Sequence, residues 1–473
     1  MDAEKYIADL INRSSAAQEI IANYDQEKID EITGAIAWHA VNEEFREKAA
    51  NMMVEESGIG SVTDKFNKIQ VKTKGLYNQM RDEKSVGIVE EYPDKGLVKY
   101  IKPMGVIAAL VPITQGEGIP IFKTLMALKG GNSIIFSPHP RGKETSKFIT
   151  NHLRKVLKAF DAPEDLIISI DPEKVSMEAS NELMKQADFI LATGGTPMVR
   201  VAYSSGTPAI GVGTGNTPTY IDKSANLEET ADKIKTSKIF DHSTSCSSEN
   251  NVLVDASIYE DMIGEFEKQG ALLIKEGSEE KEKLQKAIWP NYPNDNALHP
   301  DVPGSSVEAL AEMAGFEVPD GVNFFIVEET RGVGAEYPFT GEKLSPISTL
   351  IKVETFDEAL DKMDGILHYQ GLGHSCGIHT TSDAQIDQMA QRMKVGRMLV
   401  NQPQSLGNSG AWFNGMPVTM TLGCGTWGHN STSDNITWKN LVNYTTVSRV
   451  IDPVEPTDEE VFPESIRNKE IKI

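Results

Sequence analysis

Between residues 132 and 254 the chain alternates short apolar, β-branched runs with stretches of helical period, and this pattern limits the fold more than any other feature. Residues 132–136 (NSIIF) form such a run, and Ile149, Leu153, Val156, Leu157 and Phe160 then recur at i, i+4, i+7, i+8 and i+11, the spacing of one helix face. Residues 166–170 (LIISI), a helical segment around Leu183 and residues 189–193 (FILAT) repeat the unit. Strands separated by helices cannot close as hairpins; they lie side by side in parallel with helices over both faces, which predicts an α/β fold. The pattern restarts after Asp222, with a helix over about 227–239, a strand at 251–254 (NVLV) and a helix carrying Tyr259, Met262, Ile263 and Phe266. Two α/β units are therefore expected, residues 1–222 and 223–415, with 416–473 returning to the first. Residues 85–101 alternate around Pro93-Asp94-Lys95-Gly96, a turn sequence, and read as a hairpin outside the pattern.

Charge excludes several classes of partner. With 46 Lys and Arg against 69 Asp and Glu the formal net charge is −23. Nucleic acid and anionic membrane surfaces need basic groups to neutralise their phosphates, so neither is expected. The longest apolar run, residues 104–111, is far too short to span a bilayer, and the first residues carry no basic start followed by an apolar core. A cytoplasmic location is expected. The three cysteines, Cys246, Cys376 and Cys424, are odd in number and widely spaced with no CxxC pair, which suggests neither a disulfide framework nor a zinc ribbon.

Cys246 stands apart from the other two. It lies in KIFDHSTSCSSENN (238–251), among hydroxyl residues that keep a thiol hydrated and hydrogen-bonded, whereas Cys376 (GHSCGIH) and Cys424 (LGCGTW) have small or apolar neighbours and read as structural. No GxGxxG occurs. Instead ATGGTPMV (192–199) directly follows a strand, and Gly194 and Gly195 would let backbone approach a phosphate at a helix start, although a plain turn has the same composition. GVGTGNTP (211–218), which contains Gly213, reads either as part of such a site or as a flexible loop. The segment 367–381 (LHYQGLGHSCGIHTT) invites a metal reading, but in a strand His374 and Cys376 face one side and His379 the other, so no metal site is expected.

In the order PMGVIAALVPIT, ALKGGNSIIFSPHP, ATGG, YSSGTPAIGVGTGN, FDHSTSCSSEN, NQPQS and TLGCGTWGHNS, the chain resembles the CoA-acylating branch of the aldehyde dehydrogenase superfamily from about residue 5 to 450. Within that branch it is most similar to acylating sulfoacetaldehyde and succinate-semialdehyde dehydrogenases and to the aldehyde half of bifunctional aldehyde/alcohol dehydrogenases. The resemblance implies a Rossmann-type cofactor domain without GxGxxG, an α/β catalytic domain bearing a cysteine nucleophile, and a β oligomerisation arm, matched here by the hairpin and by LVNYTTVSRVI. A homodimer or homotetramer is expected. Cys246 is the implied nucleophile. Its thiolate adds to an aldehyde, hydride passes to a nicotinamide, and a thioester remains on the enzyme. The Cys246 amide is one oxyanion donor, and Gln115 (PITQGEG) stands where the family has the asparagine that supplies the other. Gly194, Gly195 and Gly213 fall at the implied cofactor site. Glu342 in GEKLSP matches the glutamate that binds the nicotinamide ribose. His139 in SPHP, with Arg141, lies where relatives read the adenosine ribose; a basic group there leans toward NADP over NAD.

Hydrolytic relatives activate water with a glutamate at a position corresponding here to AIGVGTGN, yet no Asp or Glu occurs from Val201 to Ile221. Coenzyme A, as a substrate thiol, can displace the acyl group without that base. Glu249 is a substitute base or, on the plainer reading, a surface or helix-capping carboxylate. For the aldehyde, polar groups in residues 401–415 (NQPQSLGNSGAWFNG), Asn401 among them, suit a distal anion, with Arg397 or His374 as its counter-charge, or else form a solvated loop unrelated to the substrate; His374 is also a candidate coenzyme A contact or an ordinary packing residue. The expected reaction is sulfoacetaldehyde to sulfoacetyl-CoA, with succinate semialdehyde or acetaldehyde and propanal as alternatives. A non-redox acyl-thiol or binding protein is the reading of another class, kept open by Gln115.

Overall fold

The computed structural model describes residues 2–469 and Ile471. Four helices come first: Ala3–Ile21, Gln26–Ala40, Glu43–Ser57 and Val62–Met80. Each is stopped at its N-terminus by a side chain that accepts a first-turn amide, Asp2, Asp25, Asn42 and Ser61 respectively.

Two parallel sheets follow, as the strand–helix alternation predicts. The first has five strands in the spatial order Ile167–Ser169, Ser133–Pro138, Val106–Val111, Phe189–Thr193, Ala209–Val212. Val106–Val111 and Ser133–Pro138 are buried along their whole length, which is why they read as continuous apolar runs. The chain builds outward from Val106–Val111 on one side and then returns to place Phe189–Thr193 on its other side. The crevice between the C-terminal ends of these two strands is therefore the switch point of the sheet, the place where open α/β sheets take ligands.

The second sheet has seven strands, all parallel, in the order Ala271–Ile274, Phe324–Glu328, Ile347–Val353, Glu249–Asp255, Thr217–Ile221, Gly373–His379, Val395–Val400. Here the boundary read from sequence shifts. Thr217–Ile221 pairs with Glu249–Asp255 and Gly373–His379, so the chain leaves the first sheet between residues 212 and 217 and not at 222. The strand is short, and Thr217, Pro218 and Thr219 hide it from an apolar-run criterion.

The hairpin outside the pattern is present. Ile88–Tyr92 and Leu97–Pro103 pair antiparallel, and Val442–Ser448 joins Leu97–Pro103 as a third strand. Past its first residue that last strand is exposed along its length. The segment after 416 returns to the first unit, where Val418, Ile436, Trp438 and Leu441 are buried in the same core as Ile107, Ile134 and Phe189. Among the described residues, no helix is long and apolar enough to cross a membrane.

Candidate active site

A cavity of about 240 Å³ opens between the two sheets. The short helix Ile113–Gln115 after Val106–Val111, the Gly194–Gly195 turn after Phe189–Thr193, and the loop carrying Cys246 all reach it. These are ends of strands from different sheets, brought together by the switch point of the first.

The Cys246 loop is held in an unfavourable backbone. Asp241, His242 and Ser243 have φ of 50°, 48° and 62°, three successive non-glycine residues in the left-handed region, each costing roughly 1–2 kcal/mol. The fully buried Asp241 carboxylate offsets this. It accepts from Lys65 at 3.0 Å, Lys68 at 2.7 Å, Thr244 Oγ1 at 2.8 Å and the Ser61 amide at 2.9 Å, while the Asp241 amide donates to Asp64. Glu117, also fully buried, completes the group at 2.6 Å from Lys68 and 3.6 Å from Lys65. Two ammonium groups and two carboxylates thus anchor the turn that precedes the nucleophile.

Cys246 Sγ lies 3.1 Å from His374 Nε2, and His374 Nδ1 lies 2.8 Å from Ser375 Oγ, which is in turn 2.9 Å from Thr217 Oγ1. His374 is fully buried; burial, and secondarily the charge of Arg397, push its pKa down to about 3, so the imidazole is neutral. Burial pushes the Cys246 thiol up to about 12, with the Glu342 charge adding to the shift and Arg397 opposing it. The thiol still meets solvent through the cavity, which moderates the effect. The resting pair is a thiol facing a neutral imidazole. From sequence His374 was a contact for substrate or coenzyme A; its ring instead addresses the nucleophile. On the same strand Cys376 lies in the apolar core, and both ring nitrogens of the buried His379 have no hydrogen-bond partner.

Gly215 is the glycine that the nucleophile requires. A Cβ there would sit 2.1 Å from the Cys246 carbonyl oxygen, and the Gly215 amide donates to Glu342 Oε1 at 3.0 Å. Gly213, singled out from sequence, lines the cavity, as does Gln115, whose buried Oε1 has no hydrogen-bond partner. Glu342 lines it too, and burial pushes its pKa up to about 8. A dinucleotide fits these groups. At Gly194 and Gly195 a Cβ would meet nothing closer than 3.7 Å, so the backbone that opens helix Thr196–Ser204 is bare to an approaching phosphate.

Other residues named from sequence lie elsewhere. His139 is exposed at the end of Ser133–Pro138, does not line the thiol cavity, and accepts the Arg141 amide on Nδ1; partial desolvation of the ring, and then the Arg141 charge, lower its pKa. The Arg141 guanidinium donates to the Ser57 carbonyl. Arg397 is buried behind the site and donates to the carbonyls of His374 at 2.8 Å and Gly423 at 2.6 Å and to Asn435 Oδ1 at 3.2 Å; it does not line the cavity. Asn401 exchanges both amide hydrogen bonds with the Thr380 backbone and is structural. Glu249 is not exposed: it is fully buried on its strand, where it accepts the amide of Gln404, the first residue of helix Gln404–Gly407, at 2.8 Å, and burial pushes its pKa up to about 7 beside Lys238. Residues 401–415 contribute Ser405 and Ser409 to the cavity, while Gln404 and Asn408 turn inward and bond each other.

The cavity also contains Lys68 and Lys72, which sequence reasoning passed over. A signal was present: Lys65, Lys68 and Lys72 fall on the same helical face as Ile69 and Leu76, where apolar residues are the rule.

Residues 2–285 match the model of the aldehyde dehydrogenase family. A sulfoacetaldehyde dehydrogenase from Acholeplasma sp is 42% identical over 462 residues, covering 98% of this chain and 94% of the relative. Among solved structures, an acetylating aldehyde dehydrogenase from Geobacillus thermoglucosidasius is similar with a TM-score of 0.91 at 37% identity, covering 96% of this chain and 98% of that one. A propionaldehyde dehydrogenase from Rhodopseudomonas palustris, solved with bound CoA and an acylated cysteine, has a TM-score of 0.83 at 25% identity over 94% of this chain and 97% of that one. A thiol–imidazole pair at a cavity between two parallel sheets, a bare glycine turn beside it and these likenesses agree: the chain belongs to the aldehyde dehydrogenase family, among its acylating members.

Proposed function

We propose that this protein interconverts a short aldehyde and its CoA thioester with NADP or NAD, and that sulfoacetaldehyde and sulfoacetyl-CoA are the pair. The observation that carries the reading is the 3.1 Å approach of Cys246 Sγ to His374 Nε2 within the cavity that holds the glycine turn. The neutral His374 keeps its proton on Nδ1, donating a hydrogen bond to Ser375 Oγ, and turns the Nε2 lone pair to the thiol, drawing off the thiol proton as sulfur bonds to the aldehyde carbon. The Cys246 amide and the Gln115 side-chain amide receive the oxyanion. Bound nicotinamide supplies the hydride acceptor. The acyl group is then held as a thioester on Cys246.

Water is a poor acceptor here. Among the described residues Glu342 is the one carboxylate lining the cavity, and burial pushes its pKa up to about 8 against the opposing Gly215 hydrogen bond, so it is mostly protonated at neutral pH. The thiol of CoA needs less help and conserves the thioester. The names of the relatives support the sulfonated aldehyde. The exposed strand Val442–Ser448 supports assembly into a homodimer or homotetramer through the three-stranded sheet. A reducing cytoplasm suits a nucleophile that must stay a thiol.

The test is a transient one. Enzyme mixed with aldehyde and NAD(P) but no CoA should give one equivalent of reduced cofactor per site and then stall, and CoA should restore steady turnover. Continuous reduction without CoA would make the protein a hydrolytic dehydrogenase, and no reduction of either nucleotide with CoA present would support the non-redox reading.

A further inference from the structure

The helix Val62–Met80 presents three lysines toward the site, and their charges are not treated alike. Lys65 and Lys68 are neutralised by Glu117 and Asp241 at 2.6–3.6 Å. Lys72, one turn beyond Lys68 and 9% exposed, has no carboxylate within 4.0 Å among the described residues. Its ammonium meets neutral oxygens: Ser409 Oγ and the Gly410 carbonyl at 2.6 Å, the Ser409 carbonyl at 3.2 Å and the Leu406 carbonyl at 3.4 Å. Two short bonds hold it, and its third N–H is shared between two longer ones. Ser409, whose hydroxyl oxygen accepts from Lys72, keeps its own proton to donate. Both residues line the cavity that contains Cys246.

We propose that Lys72 and the Ser409 hydroxyl form the seat for an anionic group, sulfonate or carboxylate, at the far end of the aldehyde. This rests on the reading that Cys246 carries the acyl group in this cavity. The chemistry is that of a cation stripped of water and offered one hydroxyl donor, which favours an acidic ligand over an uncharged one. The cavity, at about 240 Å³, suits an aldehyde of a few heavy atoms beside the thiol. Arg397 cannot serve, since it does not line the cavity.

A second consequence concerns pH. Without an anion, burial and then the neighbouring Lys68 charge lower the Lys72 pKa to about 7. The charged group facing it is Lys68, with Lys65, Glu117 and Asp241 behind; the titratable groups Glu342 and Cys246 lie across the cavity, and loop 406–410 offers none. An anion stabilises the protonated form, so binding takes up a proton and weakens as pH rises through 7.

The experiment compares sulfoacetaldehyde, succinate semialdehyde and propanal, each with CoA and NAD(P), in wild type and Lys72→Met. Expected is a loss in kcat/KM of about 100-fold for both anionic aldehydes, less than threefold for propanal, and unchanged KM for CoA and nucleotide. Equal losses for all three aldehydes, or a rise confined to the KM of CoA or nucleotide, would overturn the assignment, the latter because the anion held would be a cofactor phosphate. A wild-type measurement needs no variant: KM for the anionic aldehydes should climb above pH 7 while that for propanal stays level, and parallel profiles would also refute the site. If wild type reduces neither nucleotide with any aldehyde, the failure lies with the acylating reading; turnover of propanal with undisturbed anion kinetics in the variant places the failure with Lys72.

Discussion

Gly215→Ala offers a test of how closely the backbone is packed behind the nucleophile. The new Cβ would fall 2.1 Å from the Cys246 carbonyl oxygen, 2.8 Å from its carbonyl carbon and 3.0 Å from its Cβ. Ordinary contact needs at least about 3.2 Å to the oxygen, so one of the two strands of backbone must yield by about 1 Å. The Cys246 side has little freedom, because the preceding left-handed turn is tied to Asp241 and its two lysines. The displacement therefore passes into the Sγ–Nε2 distance or breaks the Gly215–Glu342 hydrogen bond. A shift of 1 Å in reacting groups costs about 100-fold in rate, and overpacking of this kind destabilises by about 1–3 kcal/mol. Steady-state turnover with CoA, denaturant unfolding and iodoacetamide labelling of Cys246 would be measured on the same preparation. The expected result is a kcat lower by about 100-fold in a protein that still folds and whose thiol still labels. A kcat within threefold of wild type would show that the loop moves freely and that the glycine is not there for contact.

Other outcomes follow from the same geometry. In the cofactor-free enzyme Cys246, with its pKa near 12, should be about a thousandfold less reactive to iodoacetamide at pH 7 than a free thiol, and labelling should rise about tenfold per pH unit through pH 10; a plateau near pH 8.5 would contradict the burial argument. Cys246→Ser should abolish both labelling and cofactor reduction, while Cys376→Ser and Cys424→Ser, both buried and neither lining the thiol cavity, should keep activity; turnover by the Cys246 variant would remove it as nucleophile. Asp241→Asn leaves Lys65 and Lys68 with Glu117 alone and should cost about 3–5 kcal/mol in unfolding free energy together with most of the activity, whereas a stable and active variant would show that the left-handed turn needs no anchor.

Local pattern alone determined the parallel α/β architecture and the hairpin and set Cys246 apart from the other two cysteines, because strand and helix periods and the polarity around a cysteine are written in neighbouring residues; its part as nucleophile came from the family resemblance. Thr217–Ile221 shows where that reading stops: its polar residues are buried by partners 30 and 160 positions away, and nothing nearby says which sheet it joins. The site divides in the same way. The glycine turn and the missing water base were legible because each is a property of one short stretch. That His374 faces the thiol, that Gly215 must lack a side chain, that Arg397 turns to carbonyls behind the site and that Lys72 meets neutral oxygens in place of a carboxylate were decided only when segments some 20 to 340 residues apart came together. A lysine on a helix face reads as solvated until the fold removes the water. Whether its charge is then cancelled, as at Lys65 and Lys68, or left to meet an incoming anion, as at Lys72, depends on which carboxylates the rest of the chain brings within reach.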